Sequence, residues 1–87
     1  MQTEVLRSEK GGYVKADVLQ KLDRMNALLM AVRGGMRREE AMAELESIRE
    51  TELRREKAGL FGKIGFSVED TDAYLESVEQ MILEAVY

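Results

Sequence analysis

Apolar positions recur along this chain in two runs with the same rhythm. Between Val14 and Arg33 the stripe falls at Val18, Leu22, Met25, Leu29 and Val32, at intervals of four, three, four and three. From Ser67 to Tyr87 it falls at Thr71, Leu75, Val78, Ile82 and Ala85, with the same intervals. That spacing keeps the stripe on one side of a helix and predicts a coiled-coil seam held for two heptads. Leu19 and Leu28 widen the first stripe. The middle segment, from Met36 to Lys57, is different. Its stripe is thin, with Ala41, Leu45 and Ile48, then Leu53 after a break at Glu52. Acids and bases alternate along it and form i,i+4 pairs, each worth a few tenths of a kcal/mol, about 0.2–0.5. It reads as a solvated helix with one narrow contact face.

Glycine supplies the punctuation. All seven glycines lie in three clusters: Gly11 and Gly12, Gly34 and Gly35, then Gly59, Gly62 and Gly65. Glycine ends helices because it accepts positive φ without steric cost. The predicted fold is all-α. Three helices span about 14–33, 36–57 and 67–87, joined by glycine-rich turns, with coiled-coil-like packing completed by self-association. The third has the clearest start, because Ser67 followed by Asp70 resembles a capping box and Asp70 and Asp72 suit the positive end of the helix dipole. Residues 1–13 form a polar N-terminal segment of the same single domain, 1–87.

The chain also repeats itself. At an offset of 53 residues, Gly12-Tyr13 falls on Gly65-Phe66, Asp17 on Asp70, Leu22 on Leu75 and Asp23 on Glu76. Met25, Leu29 and Met30 fall on Val78, Ile82 and Leu83, so the repeat covers 12–30 and 65–83. Glycine turns the chain sharply, and the aromatic after it lies where a hydrophobic staple packs on the first helical turn. Tyr13 has Val18 available for this contact, whereas Phe66 has only Thr71.

Composition narrows the chemistry. There is no proline, cysteine, histidine or tryptophan among the 87 residues. Long helices need no proline, which costs roughly 3 kcal/mol in a helix interior. Without His or Cys the usual zinc sites and the Ser-His-Asp and Cys-His arrangements are unavailable, so no catalytic residue, metal site or cofactor is expected and the chain reads as a non-enzyme. Ser67 is a cap rather than a nucleophile, and Glu69, Asp70 and Asp72 lack the further ligands and central glycine of a calcium loop. Thirteen bases against 17 acids give a net charge of −4, which argues against nucleic acid as a partner. No signal-peptide run and no stretch of about 18 apolar residues is present, so the expected location is cytoplasmic. A chain this short buries only about 60–65% of its unfolded surface, a marginal core that favours association.

Two regions draw attention. The loop Gly59-Leu60-Phe61-Gly62-Lys63-Ile64-Gly65-Phe66 sets four large apolar residues among glycines, flanked by Arg54, Arg55, Lys57 and Lys63. Leu60, Phe61, Lys63 and Ile64 are therefore candidates for peripheral membrane contact; the alternative is that Phe61, Ile64 and Phe66 cap the helical core. The third helix carries Glu69, Asp70, Asp72, Glu76, Glu79 and Glu84 and no base, whereas the first carries four bases against two acids. Such segregation fits either internal complementarity, with the third helix against the basic first, or an acidic surface for a basic partner. Met25, Met30, Met42 and Met81 fall largely on apolar stripes and read as core filler.

The run Phe61-Gly62-Lys63-Ile64-Gly65-Phe66-Ser67-Val68-Glu69-Asp70-Thr71-Asp72-Ala73-Tyr74-Leu75 resembles the N-terminal motif of the DivIVA family. That motif has an upstream Phe, a Gly-Tyr or Gly-Phe pair, then an acidic residue and an aromatic-Leu pair on the helix, positions held here by Asp72, Tyr74 and Leu75. The earlier copy, Gly12-Tyr13 through Leu22, matches more weakly. The better copy has only about twenty residues after it where the family continues into a long coiled coil, which implies an excised or rearranged unit. The resemblance implies a bacterial cytoplasmic scaffold of cell division or cell-wall machinery, at the inner face of the membrane, that self-associates as a homo-oligomer. The expected self-association seams are Val18, Leu22, Met25, Leu29 and Val32 with Leu75, Val78 and Ile82. The related GpsB-type adaptors imply a surface for a basic segment of a cytoplasmic protein at Glu69, Asp72, Glu76 and Glu79. A second class of function is a small regulatory subunit or peptide-binding module that docks a helix into a partner enzyme.

Overall fold

The computed structural model describes residues 6–87, so the first five residues of the N-terminal segment lie outside the description. Five elements follow in order: β1 (Ser8–Lys10), α1 (Lys15–Arg33), α2 (Arg38–Glu50), β2 (Ile64–Phe66) and α3 (Val68–Val86). The fold is mostly helical, with a small antiparallel sheet that corrects the all-α expectation. Its register places Ser8 opposite Phe66, Glu9 opposite Gly65 and Lys10 opposite Ile64.

The sheet exists because both glycine-aromatic steps use their backbones for pairing before entering a helix. Tyr13 and Phe66 each donate an N–H to the other's carbonyl, both at 2.9 Å. Glycine is required beside them. A Cβ on Gly12 would run into the carbonyl of Phe66, and one on Gly65 into the carbonyl of Tyr13. The two helices therefore leave from one point, where the repeat's two copies are clasped together.

The middle helix ends at Glu50 rather than near Lys57. Thr51 turns extended, and its hydroxyl donates back to the Ser47 carbonyl at 3.2 Å. Beyond it the chain pairs with the first copy: the Val14 N–H donates to Arg54 and the Glu56 N–H donates to Gly12, at 2.9 and 2.8 Å. Helix-favouring residues such as Arg54, Arg55, Glu56 and Lys57 are thus held extended by long-range partners, an ordinary tertiary override of a weak propensity.

Gly34 and Gly35 reverse the chain after α1, with Gly35 at φ +106°. α2 then runs back along α1, so Arg24 reaches Glu44, Ser47 and Thr51. It also touches α3 at both ends. Arg49 donates to Glu79 at 2.7 Å, and Arg38 lies over the Tyr87 ring. α1 and α3 therefore run side by side in the same direction, with α2 antiparallel across one side of the pair.

The main core joins Met25, Leu28, Leu29 and Val32 to Ala41, Leu45, Ile48, Val78 and Ile82. A smaller cluster at the paired entries holds Leu6, Val18 and Leu22, with Tyr13, Leu53, Phe66, Tyr74 and Leu75 packed against it. Seven of the eight seam residues (Val18, Leu22, Met25, Leu29, Val32, Val78 and Ile82) are buried, and Leu75 is half-buried. The two stripes meet each other within one chain. Any association of copies must therefore use other surfaces.

Candidate functional site

The repeat extends upstream of the glycine-aromatic step, and this extension builds the site. Leu6-Arg7-Ser8-Glu9-Lys10-Gly11 corresponds to Leu53-Arg54-Arg55-Glu56-Lys57-Ala58. Here the offset is 47 rather than 53, because the second copy holds six extra residues between its lysine and its aromatic. The structure pairs the copies crosswise. The strand of the first copy braces the helix of the second: Ser67 donates its N–H to Arg7 C=O at 2.6 Å. The extended segment of the second copy, from Leu53 to Lys57, braces the helix of the first through Val14 and Arg54.

Each brace ends in the same charge clamp. Arg7 meets Asp70 through its backbone N–H, Nε and Nη2 at 3.0, 2.8 and 3.0 Å. Arg54 meets Asp17 through the same three groups at 3.1, 2.9 and 2.8 Å. These charge-assisted bonds hold both carboxyls down at about 2, the side-chain and backbone hydrogen bonds from the arginine being the main causes. The carboxylates are largely covered while the guanidiniums stay open to water. Ser67 Oγ accepts the Asp70 N–H at 3.2 Å, as half of a capping box. The other half is replaced, because the Asp70 carboxylate turns to Arg7 and the Ser67 N–H goes to the Arg7 backbone.

The six-residue insertion forms the tip. Gly62 N–H bonds back to Gly59, Lys63 N–H to Lys57, and Gly11 N–H to the Lys63 carbonyl, at 3.0, 2.9 and 3.1 Å. This turn drives Phe61 and Leu60 into solvent at 92% and 83% exposure, with Ile64 beside them at 54%. Lys63 is exposed with them, and Lys10, opposite Ile64 in the sheet, and Lys57, the turn's own acceptor, are exposed at its base. None of these three lysines is in an ion pair among the described residues.

Of the expected core caps, only Phe66 packs inward, with Lys15 over its ring at 5.0 Å. Two of the expected flanking bases are employed elsewhere. Arg54 is in its clamp, and Arg55 donates to the Gly11 carbonyl at 2.6 Å. Lys10, which the spacing of the chain had not placed at the tip, takes a position beside it. The matching LRxEK strings were the available signal; the six-residue insertion hides them from any comparison at a single offset.

The acidic residues of α3 do not converge. Asp70 is in its clamp, and Asp72 accepts the Tyr13 hydroxyl at 2.9 Å, with burial first and that bond second pushing the phenol up. Glu79 pairs with Arg49 of α2, and Glu79 and Asp72 also act electrostatically on Lys21 of α1, so internal complementarity reaches both helices. Glu69 and Glu76 stay exposed. Among the described residues no group of three or more acids is arranged to hold a metal ion, and no helix is long and apolar enough to cross a membrane. Searches against protein-family models, curated proteins and solved structures found no match to this chain.

Proposed function

We propose that the protein is a non-catalytic, DivIVA-like helical scaffold that attaches to an anionic membrane surface through the Leu60–Phe61 tip. The observation that carries this reading is the tip itself: two large apolar side chains in water, on a turn held by three backbone hydrogen bonds, next to three lysines with no ion pair among the described residues. An isolated exposed leucine needs no explanation, but two large apolar side chains exposed together beside three lysines do. Inserting Phe61 contributes about 1.5–3 kcal/mol. Each lysine adds about 1 kcal/mol near an anionic leaflet, falling off within a Debye length. Together these give weak, salt-sensitive binding for one copy, which suits a scaffold whose hold on the surface depends on the number of tips it presents.

The non-catalytic part of the reading is supported by how the polar side chains are used. Asp17 and Asp70 are consumed by clamps, and Asp72 and Glu79 by a tyrosine and an arginine. The same use weakens the alternative of a basic-peptide surface, since only Glu69 and Glu76 of the four expected acids remain unengaged. The DivIVA-like assignment rests on the residues from Phe61 to Leu75 and on the placement of the tip directly before the glycine-aromatic step.

Co-sedimentation with vesicles of phosphatidylserine and phosphatidylcholine tests the reading. The wild type binds in low salt and is released as salt rises, and Phe61→Ser lowers the partition at least tenfold, by the conversion of about 1.4 kcal/mol per decade. Equal binding by both forms overturns it.

A further inference from the structure

The internal repeat predicts how the two sides of the α1–α3 pair should be covered, and only one side is. α2 covers Leu28 of α1 and packs against Leu83 of α3, leaving Leu28 only 3% exposed and Leu83 half-buried. At the repeat offset, the mate of Leu28 is Met81 and the mate of Leu83 is Met30. Both stand open, Met81 at 40% and Met30 at 74%. Leu19 lies on the same stripe as Met30, three turns away, and is also exposed. Every large apolar residue exposed within a described helix thus lies on the side that α2 leaves uncovered.

The charges along this side differ between its two helices. The α1 edge, through Leu19, Asp23, Asn26, Met30 and Arg33, carries an acid midway and a base at its end, and the α3 edge, through Tyr74, Ser77, Met81 and Glu84, ends in an acid. Neither Arg33 nor Glu84 has an ion-pair partner among the described residues. A second copy turned about an axis parallel to the helices sets its α3 against this α1 and its α1 against this α3. Arg33 then meets the acid of the other copy at nearly the same height, and the methionines meet in the middle.

We infer that this open side is the contact between two copies of the chain, packed face to face with parallel helices. Helices about 28 Å long and two helix widths across bury roughly 500 Å² on each copy, near the lower limit for a specific interface, which suits a weak, reversible dimer. The arrangement is isologous and therefore closes at two copies. It also turns both Leu60–Phe61 tips to the same end. The inference rests on the reading of the chain as a self-associating scaffold and supplies its surface, but does not depend on what the tips touch.

Sedimentation velocity of the full chain from about 5 to 200 μM, a range that reads dissociation constants in the micromolar decades, reads the outcome. The wild type shifts from monomer to dimer. Met30→Glu with Met81→Glu weakens the dimer at least tenfold while helical content by circular dichroism is kept. Arg33→Glu alone weakens it several-fold, and adding Glu84→Arg restores it, which a loss of folding would not allow. A dimer undiminished in the double methionine variant, or one lost only in Phe61→Ser, overturns the surface and leaves the scaffold standing. A wild type that stays monomeric throughout overturns both.

Discussion

The two copies of the repeat share a frame and differ in what is added to it. Each has an extended brace segment, a glycine-aromatic step, an arginine–aspartate clamp and a 19-residue helix. The first copy is followed by α2, which covers one side of the helical pair. The second carries six extra residues before its aromatic, and these make the exposed tip. The frame sets how the two copies clasp, and the additions give the core its third helix and the surface its exposed tip. Because the copies brace each other crosswise, each half lacks the other's brace on its own, and a change at one glycine should matter as much as at its mate.

That equivalence gives the largest expected effect. Gly65→Ala pushes a methyl group into the backbone of Gly12 and Tyr13, and Gly12→Ala pushes one into Phe66. Backbone has no rotamer with which to yield, so each costs about 3 kcal/mol, the upper part of the range for overpacking. Urea denaturation checks both, and a mild effect at either position breaks the claim that the steps are equivalent. The helices should be less alike. Leu28→Ala removes a side chain under α2 and costs about 2–3 kcal/mol, whereas Met81→Ala at the mated position costs less than about 1 kcal/mol in dilute monomer. Equal losses in the two variants would contradict the uncovered face.

A finer difference lies in the seam. Thr71, the mate of Val18, is 1% exposed and its hydroxyl has no partner. Thr71→Val is expected to raise stability by about 1 kcal/mol by removing that unsatisfied group, and Val18→Thr to lower it by a similar amount, both read from the thermal midpoint. The clamps predict a pH dependence. Both aspartates have folded pKa values of about 2, below their ordinary value of 3.8. The stability they contribute is present above pH 4 and is lost as pH falls towards 2. Asp17→Asn and Asp70→Asn should each flatten the acid limb of the stability curve by a similar amount; an unchanged limb would show the clamps to be energetically idle.

Much of the frame was legible in the sequence because it is written in local patterns. The two stripes, the start of α3 at Ser67 and the reversal at Gly34–Gly35 follow from periodicity and glycine placement, and they appear as predicted within a residue or two. The end of α2 was not legible, since Arg54 to Lys57 favours helix locally and is drawn out by Gly12, Val14 and Asp17 far away in the chain. The sheet is not legible for the same reason: three-residue strands carry almost no alternation, and the six-residue insertion conceals that Arg7 and Arg54 are mates. The tip was visible as composition, but which of its apolar residues turn inward depends on backbone pairing that only the fold supplies. Phe66 went in, and Leu60 and Phe61 went out.

The most direct test converts the second copy into the first. Deleting residues 59–64 leaves Ala58-Gly65-Phe66 in place of Gly11-Gly12-Tyr13, and so keeps the frame while removing the tip. With the helical circular dichroism signal retained, this variant is expected to leave anionic vesicles in the supernatant under conditions where the wild type is pulled down. Vesicle binding that survives the deletion would contradict the assignment of surface attachment to the tip.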